Sequence, residues 1–247
     1  MITAILVFVV LSKGDCHIDN YDGEGKKSIL TLSDWGGRLG NQILSNIIAI
    51  NYALENNFNI IKLPRKTKYC NTDIINLRKY TNVTTNYKSE TIGNFQQHDF
   101  YKINLDKNVE IIKKIITSIY RLPKAMKPSD DNTLHIHIRG GDVEYDTTMP
   151  QPPCQFYVDQ IDKKKWDKII IISEDKKNPC VDYILNRYEN AQYNKNTLDE
   201  DISKILSAKY ILIGRGTFMP SLTLFMPYIK EIHHPQDGDN RIHYFLN

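Results

Sequence analysis

The chain has 247 residues, of which 41% are hydrophobic and 25% charged, as expected for a globular protein of one large or two small domains. It contains 32 lysines and arginines against 29 aspartates and glutamates, and a net charge of +3 is too small to indicate nucleic-acid binding through phosphate neutralisation. The sequence has no fibrous repeat and no apolar run of about 18 residues, which excludes collagen-like, coiled-coil and polytopic membrane proteins.

The first residues of the chain differ in composition from the rest. Residues 2–11 (ITAILVFVVL) are apolar except for one threonine, and a polar stretch follows them. A helix needs about 20 apolar residues to cross a bilayer, so this segment is too short to span one. It is typical of the hydrophobic core of a secretory signal, which predicts a signal segment over residues 1–14. The alternative is a buried strand of the folded domain.

Four cysteines and one N-glycosylation sequon bear on the compartment. The sequon begins at Asn82, and the cysteines can pair in three ways. Cys154 and Cys180 each follow a proline, and a bridge between them is one hypothesis. These features predict the lumen of the secretory pathway (endoplasmic reticulum or Golgi) or secretion. A cytoplasmic enzyme with free thiols is the alternative.

The first half of the chain shows a strand, a glycine-rich turn and a helix in succession. Residues 28–32 (SILTL) predict the strand, and apolar residues at helical spacing from Asn41 onward predict the helix. Residues 58–63 (FNIIKL) predict a second strand, which Pro64 ends. Residues 109–120 predict a second helix.

The second half repeats this alternation more regularly. Strands are predicted over residues 133–139, 168–173 and 210–214. The helices predicted after them cover residues 155–162, 181–188, 199–208 and 217–226.

A strand–helix alternation predicts parallel sheets, because two parallel strands need a crossover connection. Residues 122–132 carry two prolines and several turn residues, and we predict that they link two domains, residues 28–122 and 133–247. The expected fold is therefore α/β, with two Rossmann-like domains that face a central cleft. In open parallel sheets the ligand binds outside the carboxyl ends of the strands.

A glycine-rich loop follows the first predicted strand. Residues 36–42 (GGRLGNQ) lead into a helix, and such glycines let the backbone approach a ligand beside free N–H groups. The glycines at positions 36, 37 and 40 do not follow the dinucleotide pattern G-x-G-x-x-G, and the second strand lacks the terminal acid that would hold an adenosine ribose. An NAD-dependent oxidoreductase is therefore disfavoured.

The strongest local motif is residues 135–143 (HIHIRGGDV). Residues two apart on a strand share a face, so we expect His135, His137 and Arg139 on the polar face of the strand over residues 133–139. Arg139 precedes two glycines and could bind a phosphate with two parallel hydrogen bonds. The alternative is a structural pair with Asp142. The two histidines lack a third His or Cys nearby, which disfavours a metal site.

Four motifs together resemble a known family. Residues 137–142 (HIRGGD) resemble the H-x-R-R-G-D type motif of GDP-fucose-dependent fucosyltransferases, the α-1,2, α-1,6 and protein O-fucosyl group. Residues 37–42 (GRLGNQ) are similar to the G-x-G-N-Q loop of the α-1,2 branch, residues 173–175 (SED) to its S-D-D segment, and residues 201–218 to its third motif. The motifs occur in the family's order within about residues 28–232.

This resemblance implies a GT-B fold and an inverting glycosyltransferase that needs no metal. The donor substrate would be a nucleotide sugar, GDP-fucose, and the acceptor a glycan hydroxyl. The first domain would hold the acceptor and the second the donor. Arg139 would bind the β-phosphate and stabilise the leaving diphosphate, while His137 and Asp201 would contact the guanine nucleoside. The alternative role for Asp201 is to cap or extend the start of a helix.

The donor-binding residues implied by the resemblance lie in all four motifs. They are Gly37, Arg38, Gly40, Asn41, His137, Asp142, Ser173, Glu174, Asp201, Gly216, Thr217 and Phe218.

The sequence departs from the family pattern at two places. Gly140 stands where the family has a second arginine, so one phosphate contact is missing or comes from Arg38 or Arg215. Residues 219–222 (MPSL) replace the Ser-Trp-Trp of the α-1,2 branch. The alternatives are therefore a transferase that uses another GDP-sugar or a UDP-sugar as donor, or a catalytically inactive module that binds a nucleotide sugar.

An inverting transfer needs a base to take the proton of the acceptor hydroxyl, or a donor that is reactive enough to do without one. Asp142, Glu144 and Asp146 follow the arginine motif, and we predict Glu144 or Asp146 as the base because Asp142 is better placed to brace the glycine turn. The two D-x-D matches, residues 199–201 and 237–239, are typical of cap and turn chemistry rather than of a metal site.

Overall fold

The computed structural model describes residues 28–81, 88–93, 95, 107–141 and 151–235. Several predictions from the sequence fall outside these residues: the signal segment 1–14, the sequon at Asn82, the D-x-D match at 237–239 and the three candidate acids Asp142, Glu144 and Asp146.

Strands and helices alternate along the described residues. The strands are β1 Ser28–Leu32, β2 Ile60–Lys62, β3 Ile74–Asn76, β4 Lys88–Ile92, β5 Thr133–His137, β6 Lys168–Ile172, β7 Ala191–Tyr193, β8 Tyr210–Ile213 and β9 Glu231–His233. The α-helices are α1 Leu39–Glu55, α2 Val109–Ile119, α3 Cys154–Ile161, α4 Pro179–Arg187, α5 Leu198–Leu206 and α6 Phe218–Leu222. Short 3-10 helices cover Leu77–Lys79 and Thr223–Phe225.

The strands predicted in the sequence correspond to β1, β2, β5, β6 and β8, and the predicted helices to α1 through α6. The helix predicted over residues 217–226 is wrong in length, because α6 ends at Leu222 and the chain tightens into the 3-10 helix Thr223–Phe225. Strands β3, β4, β7 and β9 were not predicted. Residues 122–132 form irregular chain between α2 and β5, while the limits of the two domains stay a prediction.

The first sheet has the strand order β3-β2-β1-β4. Strand β1 is parallel to β2 and β4, and β3 is antiparallel to β2. Its central strand is buried: Leu30 and Leu32 are at most 1% exposed. Helix α1 follows β1 directly and contributes a nearly continuous buried stretch from Ile43 to Ile50.

The second sheet is parallel throughout, in the order β7-β6-β5-β8-β9. The chain starts in the centre at β5, moves outward through β6 and β7, and then crosses to β8 and β9. This is the strand order of a Rossmann fold, and the direction of winding reverses between β5 and β8. The predicted α/β fold with two mainly parallel, Rossmann-like sheets is confirmed.

Both faces of the second sheet are covered. Leu134, Ile136 and Ile138 pack with α3 and α4 on one face. On the other face, Ile211 and Ile213 belong to a core that is continuous with that of the first sheet. Helices on both faces are expected for a parallel sheet, whose crossovers place a helix on each side.

The expectation of a polar face on β5 is therefore wrong. His135 is only 3% exposed, and it lies in register with Ile170 of β6 and Ile211 of β8. The alternation of histidine and isoleucine in the sequence marks two buried faces, because α5 and its neighbours cover the side that carries the histidines.

A disulfide joins Cys154 at the start of α3 to Cys180 in the first turn of α4. The hypothesis of this pairing is confirmed. Cys70 is a buried free thiol. Among the described residues, none of the helices has the length and apolar character needed to cross a bilayer.

Candidate functional site

The loops after β5 and β8 lie side by side at the carboxyl edge of the second sheet. His137 and Ile213, the last residues of the two strands, are in register, and the N–H of Gly214 donates to the carbonyl oxygen of His137 over 3.0 Å. The winding of the sheet reverses between these strands, and a ligand crevice is expected at such a reversal. Open α/β sheets bind their ligands in this crevice.

Arg139 stands in the first of these two loops. Its Cδ lies 4.0 Å from the position that a Cβ on Gly216 would occupy, so the side chain runs beside the turn after β8. Gly216 has φ +135°, a conformation that favours glycine. The structure thus brings together Arg139 and Gly216, which lie far apart in the sequence.

The turn that carries Arg139 is held by side chains from the loop after β6. Asp175 Oδ1 accepts hydrogen bonds from the N–H groups of Gly141 and Lys177, each at 3.1 Å. Burial acts to raise the pKa of Asp175, but these N–H groups outweigh it and the pKa lies below its ordinary value. Asn178 donates from Nδ2 to the Arg139 carbonyl oxygen at 3.1 Å. A carboxylate and an amide therefore fix the backbone of this turn.

The packing around Gly140 explains why no arginine stands at this position. A Cβ at this position would lie 2.7 Å from Asp175 Oδ1 and 3.0 Å from both the Asp175 nitrogen and Ser173 Oγ. An arginine at position 140 would displace the residue that holds the turn. The loop after β5 therefore has room for one guanidinium in this arrangement.

Three buried polar atoms near this edge have no hydrogen-bond partner within the described chain. They are His137 Nδ1, Ser173 Oγ and the Tyr157 hydroxyl. Ser173 follows β6 directly, and the Tyr157 hydroxyl lies 2.6 Å from the position of a Cβ on Gly214. Buried polar groups in native proteins are nearly always paired, and a ligand at this edge would offer a partner to His137 Nδ1 and Ser173 Oγ, whereas Tyr157 is fully buried in the core.

These groups are uncharged at neutral pH. Burial, followed by the positive charge of Arg139, lowers the pKa of His137 to about 4. Burial also holds the pKa of Tyr157 far above its ordinary value. The edge therefore offers neutral hydrogen-bonding groups beside the guanidinium of Arg139. Sequence reasoning missed Tyr157, because an isolated tyrosine on the apolar face of a helix gives no local signal.

The glycine loop after β1 reaches the same region from the first half of the chain. A Cβ on Gly40 would lie 2.7 Å from the backbone nitrogen and Cα of Phe218, so glycine permits the first turn of α1 to touch the start of α6. Thr217 Oγ1 donates to Asn41 Oδ1 over 2.6 Å. Arg38 forms an ion pair with Glu174 at 3.0 Å, with both side chains more than half exposed.

Phe218 also contacts the last residue of β5. Its ring lies 5.6 Å from the ring of His137, measured between centroids. Among the described site residues, Gly40, Asn41, His137, Thr217 and Phe218 thus meet where the two halves of the chain touch.

Asp201 lies inside the first turn of α5 and is 8% exposed. Burial raises its pKa, although Asn196 donates a hydrogen bond to its Oδ1 at 2.9 Å. Burial and then the charges of Asp175 and Asp201 raise the pKa of Tyr193, the last residue of β7. Asp201 is thus a buried, hydrogen-bonded carboxylate at the start of α5.

The neighbouring acids of residues 199–201 have structural partners. Thr197 is the N-cap of α5 and forms a capping box with Glu200. Asp199 accepts hydrogen bonds from Lys68 Nζ and the Tyr69 hydroxyl, each at 2.7 Å. Among the described residues, no group of three His, Cys, Asp or Glu side chains is arranged to hold a metal ion.

No protein-family model and no curated protein sequence matches this chain. Two solved structures are similar to it. NodZ α-1,6-fucosyltransferase soaked with GDP-fucose matches with a TM-score of 0.41 and 10% identity, over 82% of this chain and 94% of that one. POFUT1 in complex with GDP matches with a TM-score of 0.40 and 11% identity, over 85% of this chain and 98% of that one. Similarities of this size assign no activity to this chain.

Proposed function

We propose that this protein is a glycosyltransferase that moves a sugar from a nucleoside diphosphate to a hydroxyl of a glycan, with fucose from GDP-fucose as the donor. The carrying observation is the placement of Arg139 at the β5–β8 crevice, beside the orphaned polar atoms of His137 and Ser173 and against the turn at Gly216. The order of the four sequence motifs supports the same reaction.

The chemistry of the transfer suits this site. Breaking the bond between the sugar and the phosphate leaves negative charge on the diphosphate. A guanidinium that is already fixed in place stabilises this charge as it develops and requires no metal ion. Asp175 and Asn178 hold the backbone of the Arg139 turn, so the cation needs little rearrangement during the reaction.

The remaining roles follow from position. We assign the nucleoside to Asp201, whose carboxylate can accept the two N–H groups of a guanine edge, and to His137 as a neutral hydrogen-bonding group. The turn over residues 216–218 would follow the phosphates. Glu144 or Asp146 would take the proton of the acceptor hydroxyl with inversion at the sugar carbon.

We also propose that the protein works in the lumen of the secretory pathway or after secretion. The disulfide between Cys154 and Cys180 supports this, because such bonds persist in oxidising compartments.

The second candidate is a nucleotide-sugar-binding module without catalysis. The observation that favours it is the packing of Gly140 against Asp175, which leaves the β5 loop with a single guanidinium. Such a module would bind the donor as firmly as an enzyme does, but the wild-type protein would transfer no sugar.

The test has a binding arm and a turnover arm. Thermal unfolding is measured with GDP, GDP-fucose, UDP and UDP-sugars, because a ligand that binds only the folded state raises the melting temperature. Transfer of labelled sugar to glycan acceptors is then measured for the protein and for Arg139→Ala. We expect stabilisation by GDP rather than UDP, and a loss of transfer of about 100-fold or more in the variant.

Arg187→Ala is the matched control, since Arg187 lies in the last turn of α4, pairs with Asp162 and does not line the crevice. Donor binding without transfer to any acceptor would favour the binding module. No stabilisation by any nucleoside diphosphate would refute both candidates.

A further inference from the structure

We propose that Arg215 is a second phosphate-binding residue, which together with Arg139 holds the two phosphates of a nucleoside diphosphate at the β5–β8 crevice. This inference rests on the proposed function and assigns a side chain from the neighbouring loop to the same ligand.

The register of the sheet gives the two arginines equivalent positions. His137 and Ile213 are paired as the last residues of β5 and β8. Arg139 and Arg215 each lie two residues beyond this pair. Adjacent strands are about 4.8 Å apart, so the two arginines leave the sheet from neighbouring points on the same edge.

The two loops are also in direct contact. The Arg139 side chain runs along the turn after β8, with its Cδ 4.0 Å from the Cβ position of Gly216. Arg139 and Arg215 are both partly buried. Gly216, the residue after Arg215, has no side chain that would crowd the side chain of Arg139.

A second cation from the β5 loop itself is prevented by packing. Any side chain at Gly140 would meet Asp175, which the Arg139 turn requires. A diphosphate carries charge on both phosphates, and each guanidinium can bind one phosphate with two parallel hydrogen bonds. The neighbouring loop is the place from which a second guanidinium can reach the crevice.

Arg38 is the competing residue, and the structure places it elsewhere. Its guanidinium is paired with Glu174 at 3.0 Å, and 72% of its side chain is exposed. A phosphate at Arg38 would have to compete with this carboxylate in open solvent.

The experiment compares how much each arginine contributes to binding the phosphates. Isothermal titration measures the affinity of the full chain for GDP, guanosine and inorganic pyrophosphate. The variants are Arg215→Gln, Arg139→Gln, Arg38→Gln and, outside the crevice, Arg187→Gln. We expect Arg215→Gln to weaken GDP and pyrophosphate about 10- to 100-fold, as for a lost hydrogen bond to a charged group.

Two further readouts separate phosphate binding from a general loss of structure. Affinity for guanosine should be the same in Arg215→Gln as in the wild type, and the dependence of GDP affinity on salt should be weaker. Arg215→Lys should recover part of the pyrophosphate affinity, because it keeps the charge and loses only the paired hydrogen bonds. Melting temperatures of all variants identify any that fail to fold.

The inference is overturned if Arg215→Gln binds pyrophosphate within about twofold of the wild type while Arg139→Gln does not. It is also overturned if Arg38→Gln loses pyrophosphate affinity and Arg215→Gln keeps it. Failure of the proposed function looks different: the wild type would then bind pyrophosphate through both arginines and transfer no sugar from any nucleotide donor.

Discussion

At the scale of single residues, Asn178 makes two hydrogen bonds that connect a helix to the candidate site. Its Oδ1 accepts from the N–H of Cys180 and caps α4, while its Nδ2 donates to the Arg139 carbonyl oxygen. The residue is 3% exposed, so both bonds are shielded from water. One amide therefore serves stability and the position of the arginine turn at the same time.

Replacing this amide should reduce both the stability of the protein and its affinity for GDP. We expect Asn178→Ala to lower the free energy of unfolding by about 1 kcal/mol, as for other lost N-caps, and to weaken GDP binding as well. Asn76→Ala is the control, because Asn76 caps the 3-10 helix Leu77–Lys79 of the first sheet. Denaturant unfolding and titration with GDP check this. Unchanged GDP affinity in Asn178→Ala would show that the turn keeps its position without the amide.

The two histidines of β5 make a prediction about pH. Burial lowers the pKa of both His135 and His137 to about 4, whereas an exposed or unfolded histidine titrates near 6.5. Above about pH 6.5 both states are unprotonated at these sites. As the pH falls towards 4, these histidines bind protons in the unfolded state but not in the folded state, so the free energy of unfolding decreases.

The expected slope is about 1.4 kcal/mol per pH unit for each histidine between pH 6 and 4.5. His135→Leu should reduce this slope, since leucine fills a similar space between Ile170 and Ile211 and does not titrate. Urea unfolding at several pH values measures it. An equal slope in the variant and the wild type would mean that His135 is protonated in the folded protein.

At the scale of elements, the disulfide links the starts of two neighbouring helices, α3 and α4. It joins residues that are 26 apart in the sequence, and a closed loop of this length stabilises a fold by roughly 3 kcal/mol. We expect a reductant to lower the stability of the wild type and to leave the double variant Cys154→Ser/Cys180→Ser unaffected. Cys70→Ala, which removes the buried free thiol, should respond to the reductant as the wild type does.

The sequence predicted central strands better than edge strands. Strands β6 and β8 are runs of isoleucine and leucine, which burial in the middle of a parallel sheet produces directly, and β5 shows a regular alternation of leucine or isoleucine with histidine. Strands β4 (KSETI) and β7 (AQY) carry polar residues and lie at sheet edges, so their pairing depends on neighbours rather than on a local pattern. The same limit explains the wrong expectation for His135, because what covers a strand is decided by distant helices.

For the candidate site too, the sequence predicted what a local pattern determines and missed the contacts that depend on distant residues. The loops after β5 and β8 could be assigned to one edge because the carboxyl ends of parallel strands of one sheet meet there, whereas the approach of the loop after β1, which belongs to the other sheet, depends on how the two halves pack. The brace on the arginine turn was expected from Asp142, a residue outside the described part of the chain; within that part, Asp175 and Asn178 hold the turn. Neither residue is near Arg139 in the sequence, so only the fold reveals these contacts.

At the scale of the whole molecule, the two sheets share one hydrophobic core. Leu30 and Ile47 of the first half and Ile202 and Ile211 of the second belong to the same cluster of buried side chains. Helix α6 packs on α1, and the close approach at Gly40 seals this contact. The halves are therefore expected to unfold together.

The two tryptophans of the chain allow this to be measured. Trp35 lies in the first half and Trp166 in the second, and both are nearly buried. In the single-tryptophan variants Trp166→Phe and Trp35→Phe, fluorescence reports on one half at a time. Each variant's tryptophan fluorescence should follow the same urea transition as its own circular dichroism. A fluorescence midpoint that departs from the circular dichroism midpoint in either variant would show that the halves unfold separately.

This continuous core also restricts how substrates can enter and leave. Swinging the halves apart about residues 122–132 would separate α6 from α1 and expose apolar surface of the shared core to water. Such an opening is disfavoured because exposing apolar surface to water costs free energy. We therefore expect a ligand to enter and leave the crevice through small movements of the segments around it, while the two halves stay packed together.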